Sequence, residues 1–247
     1  MLSRLLLASA LCLPLGGCSA NWGWYVVSPA TEQGRSNLWF LLGGLTTTLA
    51  ISLTAIVIGM VLGFLVALPG LSASRGWRRF NRIYVEGVRA IPVLVLILWV
   101  YYGLPIVTGL KVEAFWAGVL ALALSDSAFE AEIFRAGIQS VEKGQREAAK
   151  ALGLNGWQRM RLVILPQALR RILPALGNQF VYMLKMSSLV SVIGMSELTR
   201  RANELVTAEY RPLEVYTILV AEYLVLILIV SYAVRRLERR MAISETR

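Results

Sequence analysis

A chain of 247 residues that is 57% hydrophobic and only 16% charged lies outside the range of soluble globular domains, where about a quarter of residues are charged. Its mean hydropathy of +0.62 points to a bilayer as solvent, and at about 20 residues per crossing the length allows one helical membrane domain and no second soluble core. The absence of histidine excludes serine–histidine and cysteine–histidine catalysis and makes metal chemistry improbable, and the net charge of +10 leaves nucleic acid, anionic lipid or an acidic partner to be separated by position.

Residues 1–20 carry one charge at Arg4, a short apolar core from Leu5 to Leu15, and Leu15-Gly16-Gly17-Cys18, the pattern of a secretory signal ending in a lipoprotein cleavage box. Processing at Cys18, an uncleaved leader and a mis-assigned start are all open readings. Cys12 and Cys18 both lie in this stretch, so neither a disulfide framework nor a zinc site follows from them. Residues 21–37 are polar and aromatic, suited to a membrane interface outside the cytoplasm.

The membrane domain expected over residues 38–240 opens with an uncharged run, Leu38 to Ser74. It exceeds one crossing at 1.5 Å per residue, so it is expected to tilt or protrude. Further spans are expected over about Ile83–Leu104, closed by Pro105, then Val112–Gly137, Ile172–Val192 and Leu213–Val234. Counting crossings from an outside N-terminus puts residues 72–82, 138–171 and 235–247 on one side. That side carries the three basic clusters, Arg75 to Arg82, Lys143 to Arg171 and Arg235 to Arg240, while the other receives Lys111, Arg200, Arg201 and Arg211. The positive-inside rule therefore agrees with five spans and a cytoplasmic C-terminus, and it accounts for the basic charge without nucleic acid.

Between the third and fourth spans, Gln145 to Leu152 is rich in helix formers and Gly153 is a natural C-terminal stop. Ala148, Ala149 and Leu152 give this helix a small-residue face that could sink into a partner's groove, with Glu147 accepting charge-assisted bonds there. Asn155 can cap a second helix running to Pro166, making a rigid helix-turn-helix lever. An amphipathic connector on the membrane surface is the plainer reading. The order Glu147-Ala148-Ala149, three residues, Gly153, nine residues, then Val163-Ile164-Leu165-Pro166 resembles the signature loop of ABC-importer permeases, with Val163 replacing isoleucine. Tyr84-Val85-Glu86, Arg89-Ala90-Ile91-Pro92, Ala131 to Val141, Lys185 to Leu189 and Ile193 to Leu198 are similar to the polar amino-acid branch of that family, although Met186 stands where a polar residue is expected.

The resemblance implies an all-α integral membrane protein, a five-helix type I ABC importer transmembrane domain with a cytoplasmic coupling helix, in the bacterial cytoplasmic (inner) membrane. It implies coupling through Gln145, Glu147, Ala148, Ala149, Leu152, Gly153, Leu165 and Pro166 to a dimer of ATPase subunits. ATP and Mg would be used by that partner, with no cofactor bound by this chain. A periplasmic or membrane-anchored solute-binding protein would deliver the amino acid, and a second permease subunit, identical or sister, would complete the passage.

Ionisable residues inside spans are costly and face protein or water. Asp126 and Glu130 lie one helical turn apart on one face, and with Lys185 they are candidates for a passage suited to a zwitterion. Arg89, Glu132 and Arg135, near cytoplasmic ends, read more simply as structural charge pairs. Gly59 and Gly63 form a GxxxG pattern expected to serve helix packing. A secondary carrier relaying protons through Asp126, Glu130 and Glu222, and a scaffold with no passage, are the competing readings.

Overall fold

The computed structural model describes residues 22–242, so the leader with Cys12 and Cys18 lies outside the described residues, as do residues 243–247. After a short turn at Trp24–Val27, helix α1 runs Glu32–Leu42, capped by Thr31, whose hydroxyl accepts from the Gly34 N–H at 3.1 Å. The chain breaks at Gly43-Gly44, where a Cβ on Gly44 would lie 2.6 Å from the Leu198 backbone nitrogen. Helix α2, Leu45–Leu71, follows, 27 residues or about 40 Å at 1.5 Å per residue. The first apolar run is thus two helices, and the helical stretch begins at Glu32 rather than Leu38.

The expected single span Ile83–Leu104 is not one helix. Helix α3 covers Arg75–Ala90 and stops at Ile91, whose ψ of 122° is the extended conformation that a following proline imposes. Beyond Pro92 the chain turns by 92° into α4, Val93–Leu98, a π-turn at Trp99–Gly103 and α5, Leu104–Thr108. Pro105 does not close the element: it occupies the first turn of α5, where a missing N–H costs nothing, and Gly109 at φ +73° ends it.

Helix α6, Ala114–Gln139, lies at the centre, with Ala117, Ala121, Leu122, Ala128 and Ala131 buried. It packs along α2 at a seam of small residues, where Gly59 and Gly63 let the two backbones approach; the GxxxG pattern therefore serves packing within the chain. Ile51, Ala55, Ile97, Leu122, Met183 and Val190 form the central apolar cluster. Helix α7, Lys143–Ala151, and the short α8, Gly156–Arg159, lead through a π-turn at Met160–Ile164 into α9, Leu165–Met186. A 3-10 turn, Ser187–Ile193, ends at Gly194 with φ +83°. Helix α10, Leu198–Glu209, is capped by the fully buried Glu197 carboxylate, and α11, Pro212–Ala242, completes the fold.

Two described stretches, Glu32–Leu71 and Pro212–Arg239, are long and apolar enough by themselves to cross a membrane, or four if each of two bent helix pairs counts as one crossing. The five spans read from the sequence require α6 as well, whose middle carries Asp126 and Glu130. Side chains such as Leu53, Val57, Val61 and Leu65 on α2 and Val220, Leu224 and Leu228 on α11 point outward, an apolar surface suited to lipid or a partner helix.

The bundle has two distinct ends. At one, Gly23 N–H donates to Glu214 at 2.6 Å, Gln33 Nε2 donates to Glu209 at 2.9 Å, and Arg201 donates to the Phe40 carbonyl at 2.7 Å. At the other, Gly70 meets Asn81 and Arg135, and Arg171 donates to the Ser140 carbonyl at 2.6 Å. The first two basic clusters gather at this second end.

Candidate functional site

The loop carrying the Glu-Ala-Ala pattern is a built structure. Helix α7 ends where predicted, at Gly153 with φ +77°, a left-handed conformation that only glycine adopts freely. Asn155 then closes a capping box: its Oδ1 accepts from the Gln158 N–H at 2.9 Å while Gln158 Oε1 accepts from the Asn155 N–H at 2.9 Å. The helix that Asn155 starts does not end at Pro166. Pro166 has no N–H to give to the preceding turn, and the ladder accommodates this through the π-turn at Met160–Ile164, continuing to Met186. The lever is consequently one stiff element with the core helix α9.

Two arginines that the sequence reading left unassigned tie it down. Arg146 on α7 donates to the Ile138 carbonyl at 2.5 Å, and Arg171 on α9 bonds Ser140, so the C-terminal turn of α6 is clamped from both sides. Carbonyls at a helix C-terminus lack intrahelical donors, which is why guanidiniums gather there.

The residues expected to couple divide. Gln145, Glu147, Ala148 and Gly153 are exposed, Leu152 is 79% exposed and Trp157, not singled out from sequence, 71%. Ala149 is a correction: it is 3% exposed, packed beneath α7 against its own chain, so it cannot line a partner's groove. An alanine there lets α7 lie close to the bundle. Leu165 is half-buried and Pro166 exposed at the start of α9.

Of the passage candidates, Asp126 and Glu130 do share a face of α6, both buried, opposite Gly59 and Gly63. Gln179 of α9 donates to Asp126 Oδ1, while Asp126 Oδ2 and both Glu130 oxygens have no hydrogen-bond partner among the described residues. Asp126 borders a small cleft with Tyr182 and Met186, whereas Glu130 is sealed between α2 and α6. Lys185 is exposed while Asp126 and Glu130 are buried, and among the described residues no hydrogen bond or ion pair joins it to them. Gln179 was legible as a polar residue in an apolar helix, but nothing in sequence aimed it at Asp126. The Tyr84 and Ser127 hydroxyls, 2.8 Å apart, similarly join α3 to α6.

Glu132 and Arg135 form the expected structural pair, a fork with Nε–Oε1 at 3.1 Å and Nη2–Oε2 at 2.6 Å, and Arg135 also donates to Gln139 at 2.7 Å. Among the described residues Arg89 makes no close ion pair; its guanidinium lies over the Phe129 ring, 4.7 Å from the centroid, and borders the same cavity as Glu132.

The family described as "Binding-protein-dependent transport system inner membrane component" matches residues 55–243. The chain is 39% identical over 221 residues to the glutamine transport system permease protein GlnP of Escherichia coli, covering 89% of this chain and 96% of that protein. It is 38% identical to the arginine transport system permease protein ArtQ of Bacillus subtilis, covering 82% and 92%. Among solved structures, an amino acid ABC transporter crystallised with histidines superposes at a TM-score of 0.78 with 43% identity, over 83% of this chain and 96% of that one. The MetNI methionine ABC transporter shares the fold, with a TM-score of 0.72 at 21% identity over 84% and 98%.

Proposed function

This chain belongs to the family of binding-protein-dependent transport system inner membrane components and is the permease subunit of an ATP-binding-cassette importer for amino acids, and we propose that its cargo is polar and that α7 and α8 are its coupling element. The proposal rests on one observation: a capped, doubly clamped helix-turn-helix continuous with a core helix, presenting Glu147, Ala148, Leu152 and Trp157 outward. A floppy loop would dissipate a partner's motion, whereas a lever rigidly joined to α9 carries it into the bundle.

In this reading hydrolysis belongs to a separate ATPase dimer holding ATP and Mg, and this chain has no catalytic centre of its own. Gln145, Glu147 and Leu152 dock into the ATPase, Gly153 sets the turn, and Leu165-Pro166 begins the transmitting helix. A solute-binding protein outside delivers the amino acid, and a second permease subunit, identical or sister, faces this one. In this reading the chain crosses five times, with the N-terminus outside and the lever in the cytoplasm, and the distribution of the basic clusters supports it. Asp126, open to its cleft, and the exposed Lys185 supply opposite charges to a passage completed by the second subunit. Sealed Glu130 does not touch cargo.

An ion-coupled carrier is not favoured, since it leaves the lever without a purpose. The test is uptake by proteoliposomes holding this chain, its ATPase and its binding protein. Uptake that stops when ATP is depleted under an intact proton gradient supports the reading. Uptake that continues refutes it.

A further inference from the structure

A polar cavity near the basic end of the bundle has no role in the coupling just described. It measures about 380 Å³ and lies between α3, the end of α2 and α6, with Arg78, Arg82, Arg89, Arg135, Glu86 and Glu132 on its wall. Arg78, Arg82 and Arg89 follow one another at helical spacing on a single face of α3, so they converge on the same space. Four guanidiniums meet two carboxylates there, and Glu132 is already clasped by Arg135. Arg82 has no hydrogen-bond or ion-pair partner among the described residues. Arg89 offers its ring-facing side to Phe129 and keeps its N–H edges unbonded, while Arg78 is braced by the Ser72 and Ala73 carbonyls at 3.1 and 2.8 Å. Planar guanidiniums with spare N–H donors match the oxygens of a phosphate, which they bind in forked pairs.

The position of the cavity bears on what fills it. The opposite face of α3 exposes Trp77, Phe80 and Ile83, with the two rings edge to face at 6.3 Å. Aromatic side chains of this kind hold a helix at headgroup depth. An aromatic face seated at headgroup depth puts the arginine face of the same helix at the height of the lipid phosphates, where basic pockets between membrane helices capture anionic headgroups.

We propose that this cavity is a binding site for a phosphate-type oxyanion, supplied by the headgroup of an anionic phospholipid. The site requires only that the chain be embedded in a membrane, not that it transport anything.

Native mass spectrometry of the full chain, released from detergent after equilibration with phosphatidylglycerol, phosphatidylcholine or inorganic phosphate, tests it. Phosphatidylglycerol should be retained about tenfold over phosphatidylcholine, and the R82Q/R89Q pair, both exposed side chains, should lower retention roughly tenfold or more. Glu86→Gln removes a wall carboxylate and should raise retention severalfold, a gain that a misfolded variant cannot produce. R235Q/R236Q, on α11, should leave it unchanged. Retention of inorganic phosphate in place of lipid, lost in R82Q/R89Q, supports the same oxyanion site with a soluble source. Equal retention of the two lipids with no phosphate held, unchanged retention in R82Q/R89Q, or an equal loss in R235Q/R236Q overturns the proposal. Failed uptake alongside intact lipid retention counts against the transport reading alone.

Discussion

Gly63 offers the sharpest test of the seam between α2 and α6. A methyl added there would sit 2.7 Å from the Glu130 Cβ, 2.9 Å from the Ser127 carbonyl oxygen and 3.0 Å from the Ala131 nitrogen. The first contact is about 1 Å inside the usual carbon–carbon separation of roughly 3.5–4.0 Å, and the other two are backbone atoms with no rotamer to escape into. Helix α2 would have to withdraw along its length, loosening Ile51 and Ala55 from the central cluster. Overpacking of this kind costs about 1–3 kcal/mol, offset by up to about 1 kcal/mol from the better helix propensity of alanine, so Gly63→Ala should lose roughly 2 kcal/mol. Gly59→Ala meets first a flexible carboxylate oxygen of Glu130 at 3.0 Å and should lose less. Gly87→Ala, on α3 with nothing within 4 Å, should be neutral or gain up to about 1 kcal/mol. Thermal or detergent-induced unfolding of the purified full-length variants gives the order. A Gly63→Ala protein as stable as the Gly87→Ala protein would refute the close packing of these helices.

Glu147→Lys should abolish ATP-driven uptake in the reconstituted complex while leaving membrane insertion and melting temperature unchanged, because Glu147 is exposed and bonds nothing within the described chain; normal uptake would remove the lever's role. Asn155→Ala deletes one half of the capping box and should weaken the first turn of α8 by about 1 kcal/mol, seen as faster amide exchange over residues 156–164 with little change elsewhere. Glu222 places both carboxyl oxygens, buried and unpartnered, in an apolar pocket with Leu198, Ile218 and Leu226. Glu222→Leu should therefore stabilise the isolated chain by about 1–3 kcal/mol in the same unfolding assay. A destabilised variant would reveal a donor for that carboxylate that the described residues do not contain.

Much of this protein is legible residue by residue. Hydropathy and charge place it in a bilayer, and Gly153 and Asn155 announce the turn of the lever because a left-handed stop and a side-chain cap are local chemistry. The Glu132–Arg135 pair was likewise readable, being three residues apart on one helix, and the glycine seam followed from its spacing. The breaks were less visible. Pro92 stood in the sequence, yet hydropathy continues across it, and the π-turn before Pro166 is a backbone adjustment with no composition of its own.

Sequence by itself determined which segments avoid water and where the Gly153 stop and the Asn155 cap fall, since each depends on neighbours a turn or two away. Tertiary structure alone decided that Ala149 faces inward, that Asp126 and Glu130 are buried while Lys185 is exposed, that Arg146 and Arg171 clamp α6, and that the arginines of α3 converge on one cavity. Those relations are set by how helices distant in the chain rotate against one another to bury small residues, and the pattern along any one helix does not specify that rotation.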